Sequence, residues 1–218
     1  DRLRSRGLGD VYKRQFLKSP EWKRTTAQGW GVNRAETAEI FTANQMYIRK
    51  FPDRAASLLG KLHCQHYGLP SFGKRLAAAT REFVPFSGDP AGWFAQNGRF
   101  TDFSGKTIEL PERTFATHTS GKYTAARVPL LDVIAEVLRQ PDEVWLNNYD
   151  GKAFDCLNYI RFYRDKAINV VCRIENGKTL AVRTWFEIAI RPTTRSGGKI
   201  APEKDPRLKY RRGLLVKK

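Results

Sequence analysis

His118 is the one histidine in the second half of the 218-residue chain, and it stands in the stretch FATHTSGKYTAAR. Rich in Thr, Ser and Gly, this segment is expected to be a loop just before a helix, which keeps the imidazole reachable. An imidazole of ordinary pKa takes or gives a proton near neutral pH. Lys122 and Arg127 follow closely. Fixed cations stabilise the charge that gathers on the non-bridging oxygens of a phosphoryl group in transit, and the guanidinium fork matches a phosphate bidentately. A helix starting near Arg127 would add N–H groups facing an anion. The same residues also read as a surface histidine without a task beside solvated charges, and composition alone does not separate the two.

Further cations and rings fall on segments that alternate like strands. With a side-chain period of two, Tyr159, Arg161 and Tyr163 share one face, and Ile160 and Phe162 take the other, toward the helix. In Leu180–Ile188, Ala181, Arg183, Trp185 and Glu187 share a face opposite Val182, Thr184, Phe186 and Ile188. A face of Tyr, Arg and Trp suits stacked bases and phosphates, although aromatic residues favour strands for packing alone. Thr184 falls on the apolar side, so a bulge or concave edge is needed to expose it. The tail from Arg191 to Lys218 carries ten Lys/Arg against Glu203 and Asp205. It reads as electrostatic capture of a nucleic-acid backbone, with a charged, unstructured tail as the alternative.

Other chemistries find less support. The chain lacks GxxxxGK[ST], GxGxxG, HExxH and GxSxG, and no carboxylate cluster suggests a two-metal nuclease. His63, Cys64 and His66 lie close together, but their spacing is not that of a helical zinc site and no second cluster completes four ligands. No metal and no cofactor is expected. Glu143, in PDEVW, is either an acid or base or a capping or ion-pair group.

These residues need a scaffold. Asn33 caps an expected helix through residue 50, Pro52 opens a second from Asp53 to His66, and Gly73–Glu82 is a short third. Val84–Asn97, with Pro85, Gly88, Pro90 and Gly92, reads as a loop or boundary. Arg99–Leu110 forms a hairpin about Ser104-Gly105. Val128–Arg139 sets Leu130, Leu131, Ile134, Val137 and Leu138 on one helical face. Strands follow at Glu143–Leu146, Tyr159–Tyr163, Asn169–Ile174 and Leu180–Ile190, with Asn176-Gly177 as a hairpin turn and an edge strand at Gly213–Val216. A helix followed by an antiparallel meander is α+β, since no helices separate the later strands.

Ser5–Gln15, SRGLGDVYKRQ, is what a common transposase sequencing adapter gives when translated, so residues 1–15 are set aside as an artefact. The only Met is Met46, so the chain is expected to be the C-terminal piece of a longer reading frame. Arg2, Arg4, Arg6, Lys13 and Arg14 against Asp1 and Asp10 account for +3 of the formal +17, leaving +14. Such a balance calls for a polyanionic partner, nucleic acid before a membrane surface. No apolar run is long enough to span a bilayer. Cys64, Cys156 and Cys172, odd in number and far apart, are expected to be buried thiols in a reducing compartment.

Taken as an ordered set, FATHTSGKY, ARVPLL, PDEVWLN, YIRFY, INVVCRI, TWFEI and RRGLL resemble the phage-associated nuclease domains of the barnase, EndoU, colicin and RelE-like superfamily, from about Phe100 to Lys218. Domains of this kind occur at the C-terminus of phage Mu F-like head proteins and of polymorphic toxins. The resemblance implies a helix packed on a four-stranded antiparallel sheet, with residues 16–97 a helical linker and 98–218 the nuclease domain. It implies a metal-independent endoribonuclease of toxin or effector type, cleaving RNA, tRNA among its candidates, by 2′-OH attack to a 2′,3′-cyclic phosphate. By matching position, His118 is the acid/base and Arg127 a phosphate clamp. Arg161 and Arg211 stabilise charge, Thr184 bonds a phosphate oxygen, and Tyr159 donates a hydroxyl or stacks a base. Lys122, Arg183, Trp185 and Arg212 bind substrate. With one suitable histidine a two-histidine mechanism is excluded, so Tyr159, Lys122, Glu143 or the phosphate itself handles the second proton. RNA and an acidic immunity or antitoxin protein are the expected partners, with no membrane. The expected location is the cytoplasm of a host or target bacterium, or a virion reached through a missing N-terminal region. The competing reading is a non-catalytic nucleic-acid-binding module of a phage structural protein.

Overall fold

Local sequence signals explain most of the elements around the site. The structure, a computed structural model, describes residues 64, 67–147, 156–175, 179–188, 207, 210, 211 and 213–218. The helices expected over residues 33–50 and 53–66, with His63 and His66, lie outside these apart from Cys64. So do the Asn176-Gly177 turn, Arg212 and nearly all of the 191–209 loop. The chain divides into two compact units, of which the second comprises Ser71–Val144, Cys156–Arg191 and Lys217–Lys218.

In this second unit, helix α1 (Phe72–Ala77) starts at Ser71, whose hydroxyl accepts from the Lys74 amide at 3.3 Å. The helix stops short of the expected Glu82. Arg81 beyond it is held by both carboxylate oxygens of Asp142, at 2.9 and 2.8 Å, and by the Phe162 carbonyl. Helix α2 (Pro90–Gln96) forms where a loop was expected. Asp89 caps it by accepting from Ala91 and Gly92, and Pro90 takes the first turn, where its missing N–H costs nothing. Trp93 gives this helix a face to bury, with its ring 6.2 Å from Phe115 and its Nε1 donating to Asp132 at 2.9 Å.

Strands β1 (Arg99–Thr101) and β2 (Thr107–Glu109) form the expected hairpin, with Phe100 opposite Ile108. Its turn uses Gly105 at φ +82°, a left-handed conformation that suits glycine. Helices α3 (Glu112–Thr119) and α4 (Thr124–Arg127) flank a 3-10 turn at Gly121–Tyr123. The single helix expected over Val128–Arg139 is divided into a 3-10 turn, Val128–Leu130, and helix α5, Val133–Arg139. Pro129 lies in that turn and has no N–H to carry a helical ladder through it. The apolar stripe Leu130, Leu131, Ile134, Val137 and Leu138 is nonetheless buried throughout.

The strands β3 (Glu143–Asn147), β4 (Cys156–Tyr163), β5 (Lys166–Glu175), β6 (Thr179–Glu187) and β7 (Leu214–Lys217) complete an α+β architecture. Within the second unit the strand order is β1-β2-β6-β5-β4, and β3 and β7, each divided between the units, follow β4. The expectation of a four-stranded antiparallel sheet is corrected: the sheet is mixed and has seven strands in its order. β4, β5 and β6 do form an antiparallel meander, but β2 lies parallel to β6, with Ile108 opposite Leu180. A parallel pair needs a long connection between its strands, and here α3–α5 and β3–β5 supply it. The hairpin thereby covers the edge that β6 would otherwise expose.

The register assigns the two faces of the meander. Leu157, Tyr159, Arg161 and Tyr163 share a face with Val170, Cys172, Val182 and Trp185. Phe162 of the opposite face meets Phe72 of α1 at 5.2 Å between ring centroids, whereas Tyr163 and Arg161 of this face bond Glu136 of α5, so this is the face that α5 covers. That reverses the expectation that Ile160 and Phe162 would turn toward the helix. In β6, Thr184 pairs with Val171 and Val182 with Cys172, which leaves Arg183 as the extra residue of a β-bulge. Strict alternation therefore fails here: Val182 joins Trp185, and Ala181 joins Thr184.

In the first unit, Trp145 meets Tyr67 edge-on at 5.7 Å between ring centroids. The buried Arg211 donates to the Pro70 carbonyl at 3.0 Å, and the Cys64 thiol lies 3.8 Å from the Arg211 carbonyl. Cys64, Cys156 and Cys172 are buried and none is in a disulfide. No helix among the described residues is long and apolar enough to cross a membrane.

Candidate active site

His118 belongs to the last turn of α3 and not to a loop. The hydroxyl-rich sequence that suggested a loop is satisfied inside the helix. Thr117, Thr119 and Ser120 each donate back to a carbonyl four residues earlier, at 2.7, 2.9 and 2.8 Å. The imidazole joins this pattern, with Nδ1 2.8 Å from the Thr114 carbonyl. A carbonyl only accepts, so Nδ1 carries the proton and Nε2 holds the lone pair. The tautomer needed for a general base is thus set by the helix backbone.

Rings and cations surround this imidazole. The Trp185 ring lies 5.1 Å from it at 34°, and the Tyr123 ring 5.9 Å away at 27°. Trp185 is fully buried and Tyr123 is exposed. Trp185 and Arg127 bind each other's backbone: the indole Nε1 donates to the Arg127 carbonyl at 3.0 Å, and the Arg127 guanidinium donates to the Trp185 carbonyl. The guanidinium also lies 5.1 Å from the Phe186 ring centroid. These bonds lock α4 to β6 and fix a positive charge beside α3. Burial lowers the His118 pKa most; the Thr114 bond opposes this, and the charges of Arg127 and Arg183 lower it further. Arg183 is exposed because the bulge turns it out of the ladder. Lys122 is exposed on the 3-10 turn, its ammonium 5.2 Å from the Tyr123 ring centroid.

The structure therefore brings together His118, Arg127, Arg183, Trp185 and, through Tyr123, Lys122. Thr184 is half-buried on the other face of β6 from Trp185. Tyr159, expected as a donor or stacking platform, is fully buried, and its hydroxyl donates to Asp102 at 2.9 Å. Burial, then the charges of Cys172 and Asp102, push its pKa well above the ordinary tyrosine value. Arg161, expected to stabilise charge at the surface, is also buried and is tied to Glu136 at 2.7 Å and to the Gln140 carbonyl. Arg211 is buried and donates to the Pro70 carbonyl, both of them in the first unit. Glu143 is buried in an ion pair with Arg75 at 3.3 Å. Period-two alternation correctly grouped Tyr159, Arg161 and Tyr163, but it does not tell which face the helices cover. Replacing Tyr159 by Phe is expected to cost about 1–2 kcal/mol of stability and to leave turnover per folded molecule unchanged. Chemical unfolding and an assay normalised to folded protein check both.

Sequence reasoning about roles passed over Tyr123, although it stands within FATHTSGKY; its signal was proximity to His118 through a Gly turn. Among the described residues no group of three His, Cys, Asp or Glu is placed to hold a metal. A cavity of about 230 Å³ lies at Arg75, Arg81, Asp142 and Phe162. Its guanidiniums are already paired with Glu143 and Asp142, so it competes poorly for an anion.

Compared with known proteins, the chain gives no significant match to a curated protein or to a solved structure. One family model matches residues 85–216, which include α2 to β6 and every residue gathered around His118. That span is more than half of the chain, and the chain belongs to the phage-Barnase-EndoU-ColicinE5/D-RelE like nuclease 2 family.

Proposed function

We propose that this nuclease domain is a metal-independent endoribonuclease. The observation that carries the reading is His118, with Nδ1 fixed on the Thr114 carbonyl and Nε2 left as a base among Arg127, Arg183 and Lys122. Nε2 takes the proton of a ribose 2′-OH. The 2′-oxygen bonds to the adjacent phosphorus, the bond to the 5′-oxygen breaks, and that oxygen takes a proton. The products are a 2′,3′-cyclic phosphate and a 5′-OH. Arg183 and Lys122 stabilise charge on the non-bridging oxygens, and Arg127 adds a fixed positive field. Of the side chains considered for the second proton, Tyr159 and Glu143 are buried in other bonds, which favours Lys122. The strong positive charge supports RNA as substrate and an acidic immunity or antitoxin protein as partner, in an effector that acts in a bacterial cytoplasm.

The test incubates the purified chain with total tRNA and rRNA, and separately with plasmid DNA, in EDTA. Discrete RNA fragments with cyclic-phosphate ends, absent when the scissile nucleotide is 2′-deoxy, are expected. Cleaved DNA would replace the ribonuclease reading with a deoxyribonuclease one. RNA that shifts on a gel but stays intact would favour the binding module.

A further inference from the structure

We propose that Tyr123 is a base-stacking subsite that takes one unpaired nucleobase of the substrate, beside the phosphate addressed by His118. This inference rests on the ribonuclease reading and assigns its substrate class as single-stranded or loop RNA.

The ring is held in place before any substrate arrives. Ser120 is extended and Gly121 turns left-handed at φ +56°, which swings the chain back over the helix it has just left. The Tyr123 amide donates to the Ser120 carbonyl at 3.3 Å, and the Thr124 hydroxyl to the Thr119 carbonyl at 3.1 Å. The result is the near-parallel placement on His118, 5.9 Å away at 27°. Tyr123 nevertheless remains 38% exposed, and among the described residues it and Val84 are the large hydrophobic side chains so exposed. Its chain neighbours Gly121, Thr124, Ala125 and Ala126 are small and exposed.

An aromatic face of this kind stacks any base, because every base has a π-face. The Lys122 ammonium lies over the same ring, 5.2 Å from its centroid, and on an exposed side chain it can swing from there to the backbone phosphate that a stacked base brings with it. Trp185 and Tyr159, the rings that alternation offered for this role, are fully buried, so the stacking surface falls to Tyr123. A duplex holds its bases in its own stack and cannot lend one to Tyr123 without unpairing.

The experiment uses a 2′-O-methyl oligonucleotide, which has no 2′-OH to attack, carrying 2-aminopurine at one position. The full chain and its Tyr123→Phe, Tyr123→Leu and Tyr123→Ala variants are titrated against it. The wild-type chain and Tyr123→Phe are expected to quench the fluorophore. Tyr123→Ala and Tyr123→Leu are expected to bind about 5- to 100-fold more weakly without quenching. An oligonucleotide abasic at that position should bind wild type and Tyr123→Ala alike, and the preference for single-stranded over duplex RNA should shrink in Tyr123→Ala. Tyr123→Leu keeps an apolar contact with His118 and guards against a folding defect in the smaller variant. Equal losses on the abasic oligonucleotide, unchanged binding by Tyr123→Ala, no binding by the wild-type chain, or a loss in Tyr123→Phe as large as in Tyr123→Ala would each overturn the proposal. The probe cannot be cleaved by the proposed route, so stacking without any RNA cleavage would sink the ribonuclease reading alone. Cleavage with no stacking would sink this inference alone.

Discussion

Replacing His118 by alanine is expected to lower RNA cleavage by about 10²- to 10⁴-fold, the usual contribution of a positioned general base. Binding of uncleaved RNA should change little, because the proposed phosphate contacts are Arg183 and Lys122. The pH profile makes this prediction specific to His118. In the proposed reaction the reactive form is the neutral imidazole, so kcat/KM is expected to fall as pH drops through its pKa. Burial and the charges of Arg127 and Arg183 hold that pKa below the ordinary histidine value of about 6.5, against the Thr114 bond. The acid limb of the profile should therefore lie below that value. Arg183→Gln removes one of the charges that lower it and should shift the limb upward, whatever it does to the absolute rate. An acid limb at or above the ordinary value, or one that persists in His118→Ala, would assign the titration to another group.

The second large effect is on stability. Asp102 is 3% exposed and accepts four hydrogen bonds. Oδ1 takes the Ser104 amide at 2.8 Å, the Ser104 hydroxyl at 2.8 Å and the Lys106 amide at 2.9 Å. Oδ2 takes the Tyr159 hydroxyl at 2.9 Å. This one carboxylate closes the β1–β2 turn and joins it to the centre of the sheet. In Asp102→Ala these donors lose their acceptor, and each one left buried costs about 1–3 kcal/mol. A loss of about 3–5 kcal/mol is expected, a large share of the stability of an ordinary domain. Urea unfolding measures it. Adding Tyr159→Phe to Asp102→Ala should recover part of the loss, because the hydroxyl no longer needs an acceptor. Strict additivity of the two changes would mean that the Asp102–Tyr159 bond carries no coupling.

These two residues show different limits of sequence reading. His118 stands out as a candidate by its type and its basic neighbours, and the family is legible in the ordered set of motifs around it. Its setting is the last turn of a helix, although a run of Thr and Ser suggests a loop. The helix forms since those hydroxyls donate to carbonyls of the preceding turn. Asp102 was not singled out: its bonds to Ser104 and Lys106 are local to the turn, but Tyr159, the partner that ties it to the sheet, lies on β4 far along the chain.

The one-dimensional pattern was sufficient wherever a residue's environment is set by its chain neighbours. The α+β class, the β1–β2 hairpin, the meander β4–β6 and the buried stripe of α5 all follow from periodicity and turn residues. Capping was equally local: the Asp89-Pro90 pair that starts α2 was present in the sequence, though the surrounding Gly and Pro masked it. The bulge at Arg183 was not local: regular alternation sets Val182 and Trp185 on opposite faces, and only the pairing with β5 puts them on one. Only the tertiary structure decided which sheet face α5 covers and that β4 is buried on both faces, so that Tyr159, Arg161 and Trp185 are core while Tyr123 and Arg183 reach solvent. It also decided the parallel pairing of β2 with β6. Alternation is symmetric between the two faces, and strand order depends on contacts between segments far apart in the chain.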